Sequence, residues 1–117
     1  MKRTITLLLL YLIVKSLAAQ GYKQENNIHY TQKTDPYSTE RLTLDVYHPD
    51  GAADHPVVVW FHGGGLEQGN KEIPQRLKGK GYVVVGVNYR LLPKVTVKET
   101  LDDAAEAATT RINILQG

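Results

Sequence analysis

A short apolar run that ends in a histidine and three glycines constrains the fold of this chain most. Residues 57–65 read Val-Val-Val-Trp-Phe-His-Gly-Gly-Gly. The apolar part consists of β-branched and aromatic residues, and its length suits a strand covered on both faces better than a buried helix. Each glycine loses more backbone entropy on folding than any other residue. Three in succession therefore indicate a backbone that bends sharply or lies very close to another group.

A second apolar strand follows the glycines along the chain. Residues 82–88 read Tyr-Val-Val-Val-Gly-Val-Asn, which predicts another fully buried strand. Residues 71–80 predict a short helix between the two strands, with Asn70 as its N-cap and Pro74 in its first turn. The joining segment is long enough for a parallel crossover, so residues 57–88 predict a βαβ unit.

The segment ahead of this unit predicts an antiparallel pair of strands. Residues 41–47 alternate polar and apolar side chains, with Leu42, Leu44 and Val46 on one face, which is typical of a half-buried strand near a sheet edge. Residues 27–31 predict a shorter strand before it. Residues 35–38 (Asp-Pro-Tyr-Ser) between the two predict a turn.

The end of the chain predicts a last helix. It starts at Thr96 or Thr100 and continues through the alanine-rich residues 102–108. The helical tendency weakens after Ala108 because the following threonines and isoleucine are poorer helix formers. Together these elements predict an α/β architecture that begins with an antiparallel strand pair and continues as a βαβ unit.

The first nineteen residues predict a secretory signal peptide. Lys2 and Arg3 precede a mostly apolar run over residues 5–14, and small residues follow at 16–19, although Leu17 occupies a position where a small residue is preferred. The run is about half of the ~20 residues that span a bilayer, so no stable membrane anchor is expected. The mature domain would be residues 20–117, secreted or periplasmic. An uncleaved anchor or a structural helix is the alternative.

The charge balance argues against a nucleic-acid partner. Three of the 14 basic residues lie in the predicted signal peptide, which contains no acidic residue, and the remainder of the chain has a net charge of −1. No cluster of lysine and arginine with interspersed aromatic residues is present. The chain also lacks cysteine, which excludes disulfides and thiolate metal sites. The spacing of His29, His48 and His55 does not suit a metal, so they are expected at the surface.

The motifs taken together resemble the α/β-hydrolase fold, in the carboxylic ester hydrolase branch of hormone-sensitive-lipase-like, feruloyl and acetyl-xylan esterases. The similarity covers about residues 40–108. Leu66 departs from it, because an aromatic residue often follows the third glycine. The matching motifs are Leu-Asp-Val-Tyr-His-Pro at 44–49, the strand with His-Gly-Gly-Gly at 57–65, Gly69, Gly-Tyr-Val-Val-Val at 81–85, Asn-Tyr-Arg-Leu at 88–91 and Leu-Asp-Asp-Ala at 101–104.

The resemblance implies a serine hydrolase in which backbone N–H groups of the glycine loop stabilise the negative oxygen of the reacting ester. By motif position these donors are Gly64 and Gly65, while Gly63 shapes the turn and His62 supports the loop. The resemblance also implies an ion pair between Arg90 and Asp103 or Asp102. It implies no cofactor and no metal, and it implies an ester substrate that is a small molecule or is linked to a polysaccharide.

Two required parts of such an enzyme have no counterpart in these 117 residues. The nucleophile belongs in Gly-x-Ser-x-Gly, yet the serines are Ser16 and Ser38, and no histidine follows His62 to act as the base. Two interpretations remain open. The chain is the N-terminal part of a truncated esterase with an incomplete sheet and an exposed edge at residues 57–60, or it is an inactive hydrolase fragment with a binding role or none.

Overall fold

Four strands form one mixed sheet in a computed structural model that describes residues 21–51 and 54–116, with side-chain surroundings as far as residue 110. The strand order is β1–β2–β4–β3. The predicted signal peptide lies outside the described residues. The elements are β1 (Tyr22–His29), α1 (Pro36–Arg41), β2 (Thr43–Pro49), β3 (Val57–Phe61), a 3₁₀ turn (Gln75–Leu77), β4 (Val83–Val87) and α2 (Val97–Gln116).

The pairing pattern confirms the predicted α/β architecture. β2 runs antiparallel to both β1 and β4, while β3 and β4 are parallel, with Val59 opposite Val85. β1 begins five residues earlier than predicted, at Tyr22. Its polar first half was missed because those side chains are exposed on an edge strand. A register shift between Glu25 and Ile28 also interrupts the alternation of its side chains.

Strand β2 lies next to the edge strand β1 and antiparallel to it, as predicted, but the prediction that β2 is half-buried was wrong. Both of its faces are covered, since Leu44 is fully buried and Thr43 and Asp45 are no more than 9% exposed. The Asp45 carboxylate is paired with the ammonium of Lys71 at 3.1 Å. It also accepts a hydrogen bond from the backbone N–H of Asn27 at 2.9 Å. These partners make burial of its polar face tolerable.

The predicted turn at residues 35–38 is the start of helix α1. Asp35 is its N-cap and accepts a hydrogen bond from the Ser38 backbone N–H at 2.9 Å, while Pro36 occupies the first helical position. Aspartate followed by proline is as suitable for a helix start as for a turn. Arg41, predicted as the first residue of a strand, is the last residue of this helix.

The crossover between β3 and β4 contains no α-helix. Only Gln75–Leu77 form a 3₁₀ turn, so the predicted helix over residues 71–80 was wrong. Pro74 disfavours helical backbone in the residue before it. Gly79 has a left-handed φ of 73°, which stops any helix there. The crossover backbone lies directly on the sheet, because a Cβ on Gly86 would overlap the carbonyl oxygen of Glu72.

Helix α2 starts where the sequence predicts and continues further. The Thr96 hydroxyl accepts from the Glu99 backbone N–H at 3.2 Å, which caps the helix, and the helix continues to Gln116 instead of weakening after Ala108. Thr110 donates a side-chain hydrogen bond to the Tyr30 carbonyl, which anchors this part of the helix beside the sheet. The core consists of Tyr30, Leu42, Leu44, Val46, Val83, Val85, Val87 and Ala107.

Strand β3 forms an edge of the observed sheet. Val57 and Phe61 are 38% and 39% exposed, so the expectation of burial on both faces was wrong, whereas the expected apolar edge is confirmed. Within the described ranges, no helix combines the length and the apolar composition needed to cross a membrane.

Candidate active site

The glycine loop (residues 62–70) lies at the carboxyl end of the parallel pair β3 and β4. β3 ends at Phe61 and leads directly into the loop, and β4 ends at Val87 and leads into residues 88–92 at the same edge of the sheet. Ligand sites of open α/β sheets lie outside the carboxyl ends of the strands. The position of the loop is therefore that of a binding site, and its three glycines are exposed to solvent.

The carbonyl groups of the glycine loop are held by hydrogen bonds within the loop. The Gly64 carbonyl accepts from the N–H groups of Glu67 and Gln68 at 3.2 and 3.3 Å. The Gly63 carbonyl lies 2.8 Å from Nδ1 of His62. A trans peptide places its C=O and N–H on opposite sides, so the N–H groups of Gly64 and Gly65 point away from these contacts. Neither N–H has an acceptor among the described residues.

The shape of the loop requires a glycine at position 64 and favours one at position 65. Gly64 has φ of 127°, and a Cβ there would overlap the carbonyl oxygen of Gln68. Gly65 has φ of 64° with open space around it, and Gly63 has neither constraint. Leu66 also adopts a positive φ, 66°, although it is not a glycine. Its carbonyl accepts from the Leu92 N–H at 2.9 Å, which helps to hold this costly conformation.

His62 and Tyr89 hold the start of the loop as a stacked pair. Their rings are 4.4 Å apart and nearly parallel, and the Tyr89 hydroxyl donates to the His62 carbonyl at 2.6 Å. Because the nearby Gly63 oxygen can only accept, we assign the ring hydrogen of His62 to Nδ1. Nε2 is buried and has no partner in the described part of the chain. Burial raises the pKa of Tyr89, so its hydroxyl remains a donor at neutral pH.

The segment after β4 supports the other end of the loop. The Asn88 side-chain oxygen accepts from the Lys71 backbone N–H at 2.6 Å, and its carbonyl accepts from the Tyr30 hydroxyl at 2.5 Å. Arg41 donates to the Gly69 carbonyl at 3.2 Å. Sequence reasoning did not assign these contacts. In the sequence, Arg41 is a charged residue directly before the alternating residues 42–46, and it was interpreted as the first residue of that strand.

The predicted ion pair between Arg90 and Asp103 is confirmed. Two hydrogen bonds of 2.9 and 2.8 Å join the guanidinium to the carboxylate, and Asp103 is fully buried. Asp103 raises the pKa of Arg90 through the side-chain hydrogen bond. Arg90 therefore joins the segment after β4 to α2 and is not available to a substrate carboxylate.

Other candidate residues lie away from the loop or have no access to it. Ser38 is fully buried in α1, so its hydroxyl is not presented to a substrate. His29 is exposed on β1, and His48 and His55 are partly buried. Within the described residues, no group of three histidine, aspartate or glutamate side chains could hold a metal ion.

An apolar cavity of about 240 Å³ lies beside the glycine loop. It is bounded by the end of β3, by Leu66 of the loop, by Tyr89 and by the first turns of α2. A loop with two N–H groups that lack acceptors, next to an apolar cavity, suits a ligand that has a polar oxygen attached to an apolar group. The lining residues are Phe61, His62, Leu66, Tyr89, Thr100, Leu101 and Ala104.

Two sequence relatives illustrate how much of a larger protein this chain represents. It is 44% identical over 54 residues to glutactin of Drosophila melanogaster, which covers 44% of this chain and 5% of glutactin. It is 37% identical over 70 residues to cocaine esterase of Oryctolagus cuniculus, covering 55% of this chain and 13% of that esterase. The chain thus spans only a small part of the length of these relatives.

Solved structures share the fold over most of the chain. Esterase B from Lactobacillus rhamnosis superposes with a TM-score of 0.64 and 27% identity, covering 93% of this chain and 37% of that chain. A truncated carbohydrate esterase from gut microbiota superposes with a TM-score of 0.61 at 19% identity, covering 75% and 32%, which supports the fold alone.

The carboxylesterase family matches residues 15–93, which are more than half of the 117 residues. That range includes β3, the glycine loop and β4, the elements that build the candidate site. This chain therefore belongs to the carboxylesterase family and has the open mixed sheet of an α/β-hydrolase.

Proposed function

We propose that this chain forms the oxyanion-stabilising N-terminal part of a secreted serine carboxylic ester hydrolase. The observation that carries the proposal is the orientation of the glycine loop. The carbonyls of Gly63 and Gly64 are held by contacts within the loop, which leaves the N–H groups of Gly64 and Gly65 unpaired among the described residues. Two unpaired donors at the carboxyl end of a parallel strand pair are suited to bind a negative oxygen.

The proposed chemistry is nucleophilic acyl transfer. A serine oxygen attacks the ester carbonyl carbon, and the carbonyl oxygen becomes an alkoxide that accepts hydrogen bonds from Gly64 and Gly65. One such donor is typically worth about 10²–10³ in rate. His62 supports the loop by stacking on Tyr89 and by its contact with the Gly63 carbonyl. Gly63 contributes that carbonyl, and neither its φ nor its surroundings require a glycine. The nucleophile, acid and base would come from a further part of the hydrolase domain.

The open edge of β3 supports the same proposal. Val57 and Phe61 are exposed on this strand. Native proteins usually cover or block an apolar sheet edge, because it can pair with another chain. In a complete hydrolase sheet a further strand would pair with β3 and cover them. The domain over residues 20–117 would then be one portion of a larger α/β-hydrolase domain.

The substrate we propose is a carboxylic ester with a short acyl group, either free or linked to a polysaccharide. The apolar cavity of about 240 Å³ beside the loop has room for a short acyl chain. Names of relatives, such as cocaine esterase and phenmedipham hydrolase, describe small-molecule substrates of those proteins. Membership of the hormone-sensitive-lipase-like, feruloyl and acetyl-xylan esterase branch stays a prediction.

Secretion is proposed from residues 1–19, the predicted signal peptide. The test is to express the chain in a bacterial host and to separate the cytoplasmic, periplasmic and secreted fractions. Cleavage after Ala19 would leave a secreted or periplasmic product that begins at Gln20. Mass spectrometry of that product measures its first residue. A product that retains Lys2 and Arg3 would support the uncleaved anchor or helix instead.

An inactive fragment with a binding role, or with none, is the second candidate function. The observation that favours it is the burial of Ser38, since the other serine lies in the predicted signal peptide. The 117-residue chain alone is then expected to give no hydrolysis of p-nitrophenyl acetate and no labelling by a fluorophosphonate.

The deciding experiment is the nucleotide sequence beyond codon 117, read in all three frames. The esterase proposal expects Gly-x-Ser-x-Gly soon after that codon, with an aspartate or glutamate and a histidine further on. The frame that contains the motif would then be expressed and assayed with p-nitrophenyl acetate, with its serine replaced by alanine as the control. A stop codon with no motif in any frame would overturn catalysis and favour the inactive fragment.

A further inference from the structure

We propose that Arg41 is a positioning residue that holds the glycine loop in the geometry needed for its N–H donors. The catalytic meaning of this role rests on the function proposed above, whereas the contacts themselves do not. Arg41 is 7% exposed and lies at the end of α1, on a part of the chain distant in sequence from the loop.

The guanidinium of Arg41 joins two separate segments. Nε donates to the Tyr89 carbonyl at 3.1 Å. The two terminal nitrogens donate to the Asn70 side-chain oxygen at 2.9 Å and to the Gly69 carbonyl at 3.2 Å. One side chain thus connects the end of the glycine loop to the segment that follows β4.

The contact at Gly69 reaches the front of the loop through close packing. Gly69 has φ of 110°, and a Cβ there would lie 2.5 Å from both the Gly63 carbonyl oxygen and Nδ1 of His62. The backbone at Gly69 therefore lies directly against the residues that orient the Gly64 N–H. Moving the Gly69 carbonyl would therefore disturb the packing against the peptide between Gly63 and Gly64.

The contact at Tyr89 acts on the preceding peptide of the loop, between His62 and Gly63. The Tyr89 hydroxyl donates to the His62 carbonyl, and its ring stacks on the His62 ring. By binding the Tyr89 carbonyl, Arg41 fixes the residue that holds the entrance of the loop. One buried guanidinium thus holds both ends of the loop, the far end directly and the entrance through Tyr89.

The acceptors of Arg41 explain why an arginine is needed. All three are neutral oxygens, and no carboxylate pairs with Arg41 among the described residues. This differs from Arg90, whose partners are the carboxylates of Asp103 at 2.8 Å and Glu99 at 3.7 Å. A planar guanidinium presents five N–H donors in a fixed fork, whereas a lysine ammonium is a compact charge on a flexible stem. Lysine at this position would therefore hold fewer of the three oxygens.

Amide hydrogen exchange measured by NMR on the full 117-residue chain tests the proposal without any need for ester hydrolysis. The amides of Glu67 and Gln68 report on the loop, because both donate to the Gly64 carbonyl. In Arg41→Gln their exchange is expected to rise by at least about tenfold relative to the wild type, while the amide of Val85 in β4 changes little. Arg41→Lys is expected to lie between these two.

The matched control is Arg76→Gln. This change also removes a guanidinium, which in the wild type lies over the Trp60 ring at 5.0 Å. Among the described residues, Arg76 makes no side-chain hydrogen bond or ion pair with the loop. Its loop exchange is expected to match the wild type. Millimolar guanidinium chloride added to Arg41→Ala should restore part of the loop protection, and equal sodium chloride should not.

The proposal is overturned by unchanged loop exchange in Arg41→Gln. It is also overturned by exchange that rises equally in the loop and in β4, since Arg41 would then serve only general stability. Failure of guanidinium to protect the loop in Arg41→Ala would count against it even if Arg41→Gln did not fold. A further outcome is loop protection that depends on Arg41 while no reading frame beyond codon 117 gives esterase activity. That result would leave this proposal standing and reject the proposed function.

Discussion

Arg90 and Asp103 form a buried bidentate ion pair that joins the segment after β4 to helix α2. The guanidinium donates to both carboxylate oxygens at 2.9 and 2.8 Å, and the Arg90 backbone N–H donates a third hydrogen bond to Asp103 at 3.1 Å. The Thr100 hydroxyl donates to the Arg90 carbonyl at 2.9 Å. The segment after β4 and helix α2 are thereby held together as one unit.

Replacing Asp103 is expected to destabilise the fold severely. Asp103→Asn leaves the buried Arg90 guanidinium with only the half-exposed Glu99 carboxylate, at 3.7 Å, as a countercharge. Losing the buried partner should cost about 3 kcal/mol in the free energy of unfolding. Urea denaturation followed by circular dichroism measures the loss. The control is Asp102→Asn, because Asp102 is exposed and, among the described residues, forms an ion pair only with Lys98 on the same helix. Equal losses in the two variants would contradict the structural role of the buried pair.

Alanine substitutions in the glycine loop are expected to differ by position. Gly64→Ala puts a Cβ into the Gln68 carbonyl at a positive φ, so it should cost about 2 kcal/mol or more in the free energy of unfolding. Gly63→Ala meets no atom within 4 Å and should change stability by no more than about 0.5 kcal/mol. Urea midpoints of both variants test this. A Gly63→Ala variant as unstable as Gly64→Ala would show that the loop geometry is different.

The Tyr89 hydroxyl is expected to stabilise the entrance of the loop. Tyr89→Phe keeps the ring stacked on His62 but leaves the His62 carbonyl without its donor, which should cost about 1–3 kcal/mol. The matched control is Tyr82→Phe, because the Tyr82 hydroxyl has no hydrogen bond among the described residues. Unfolding curves that show the same small effect for both variants would contradict this role.

Alkaline pH is expected to destabilise the fold through Tyr30. Burial raises the pKa of this hydroxyl above its ordinary value of 10.0, and the hydroxyl donates to the Asn88 carbonyl. The unfolded chain therefore releases the proton at a lower pH than the folded chain. This contribution to stability is fully present below pH 10.0 and falls as the pH rises above it.

The variant that isolates this effect is Tyr30→Phe. It should be less stable than the wild type at neutral pH, because the Asn88 carbonyl loses its donor. Its stability should also decline less between pH 9 and about pH 11. Urea midpoints measured across this range give both quantities. A wild type and a variant with parallel alkaline profiles would show that Tyr30 does not titrate on unfolding.

The strongly patterned elements of the fold were predictable from local sequence. The valine-rich runs at residues 57–61 and 83–87 are too short for buried helices, and a long connection between them favours parallel pairing. Their pairing was thus predicted, together with a start of α2 at Thr96 or Thr100. Pro74 misled the helix prediction, because proline is compatible with both a first helical turn and an extended segment. At residues 35–38 the error was the reverse, since a turn was predicted where helix α1 begins.

The candidate site was predictable only in its central motif. Gly63, Gly64 and Gly65 directly after a strand predict a sharply bent loop, and the resemblance attached a chemical role to it. Arg90 and Asp103 followed from the same resemblance. Arg41 could not be assigned, because its three acceptors belong to residues 69, 70 and 89, which are far from it in sequence.

The sequence by itself determined the elements whose signals are local: apolar strands, a glycine turn and a capped helix. These follow from side-chain packing preferences and backbone entropy, which act over a few neighbouring residues. Only the tertiary structure decided that β2 is covered on both faces, and that Arg41, Tyr89 and Asn88 converge on the glycine loop. Burying a polar group requires a hydrogen-bond partner, and the partners here are brought together by strand order, which no local pattern specifies.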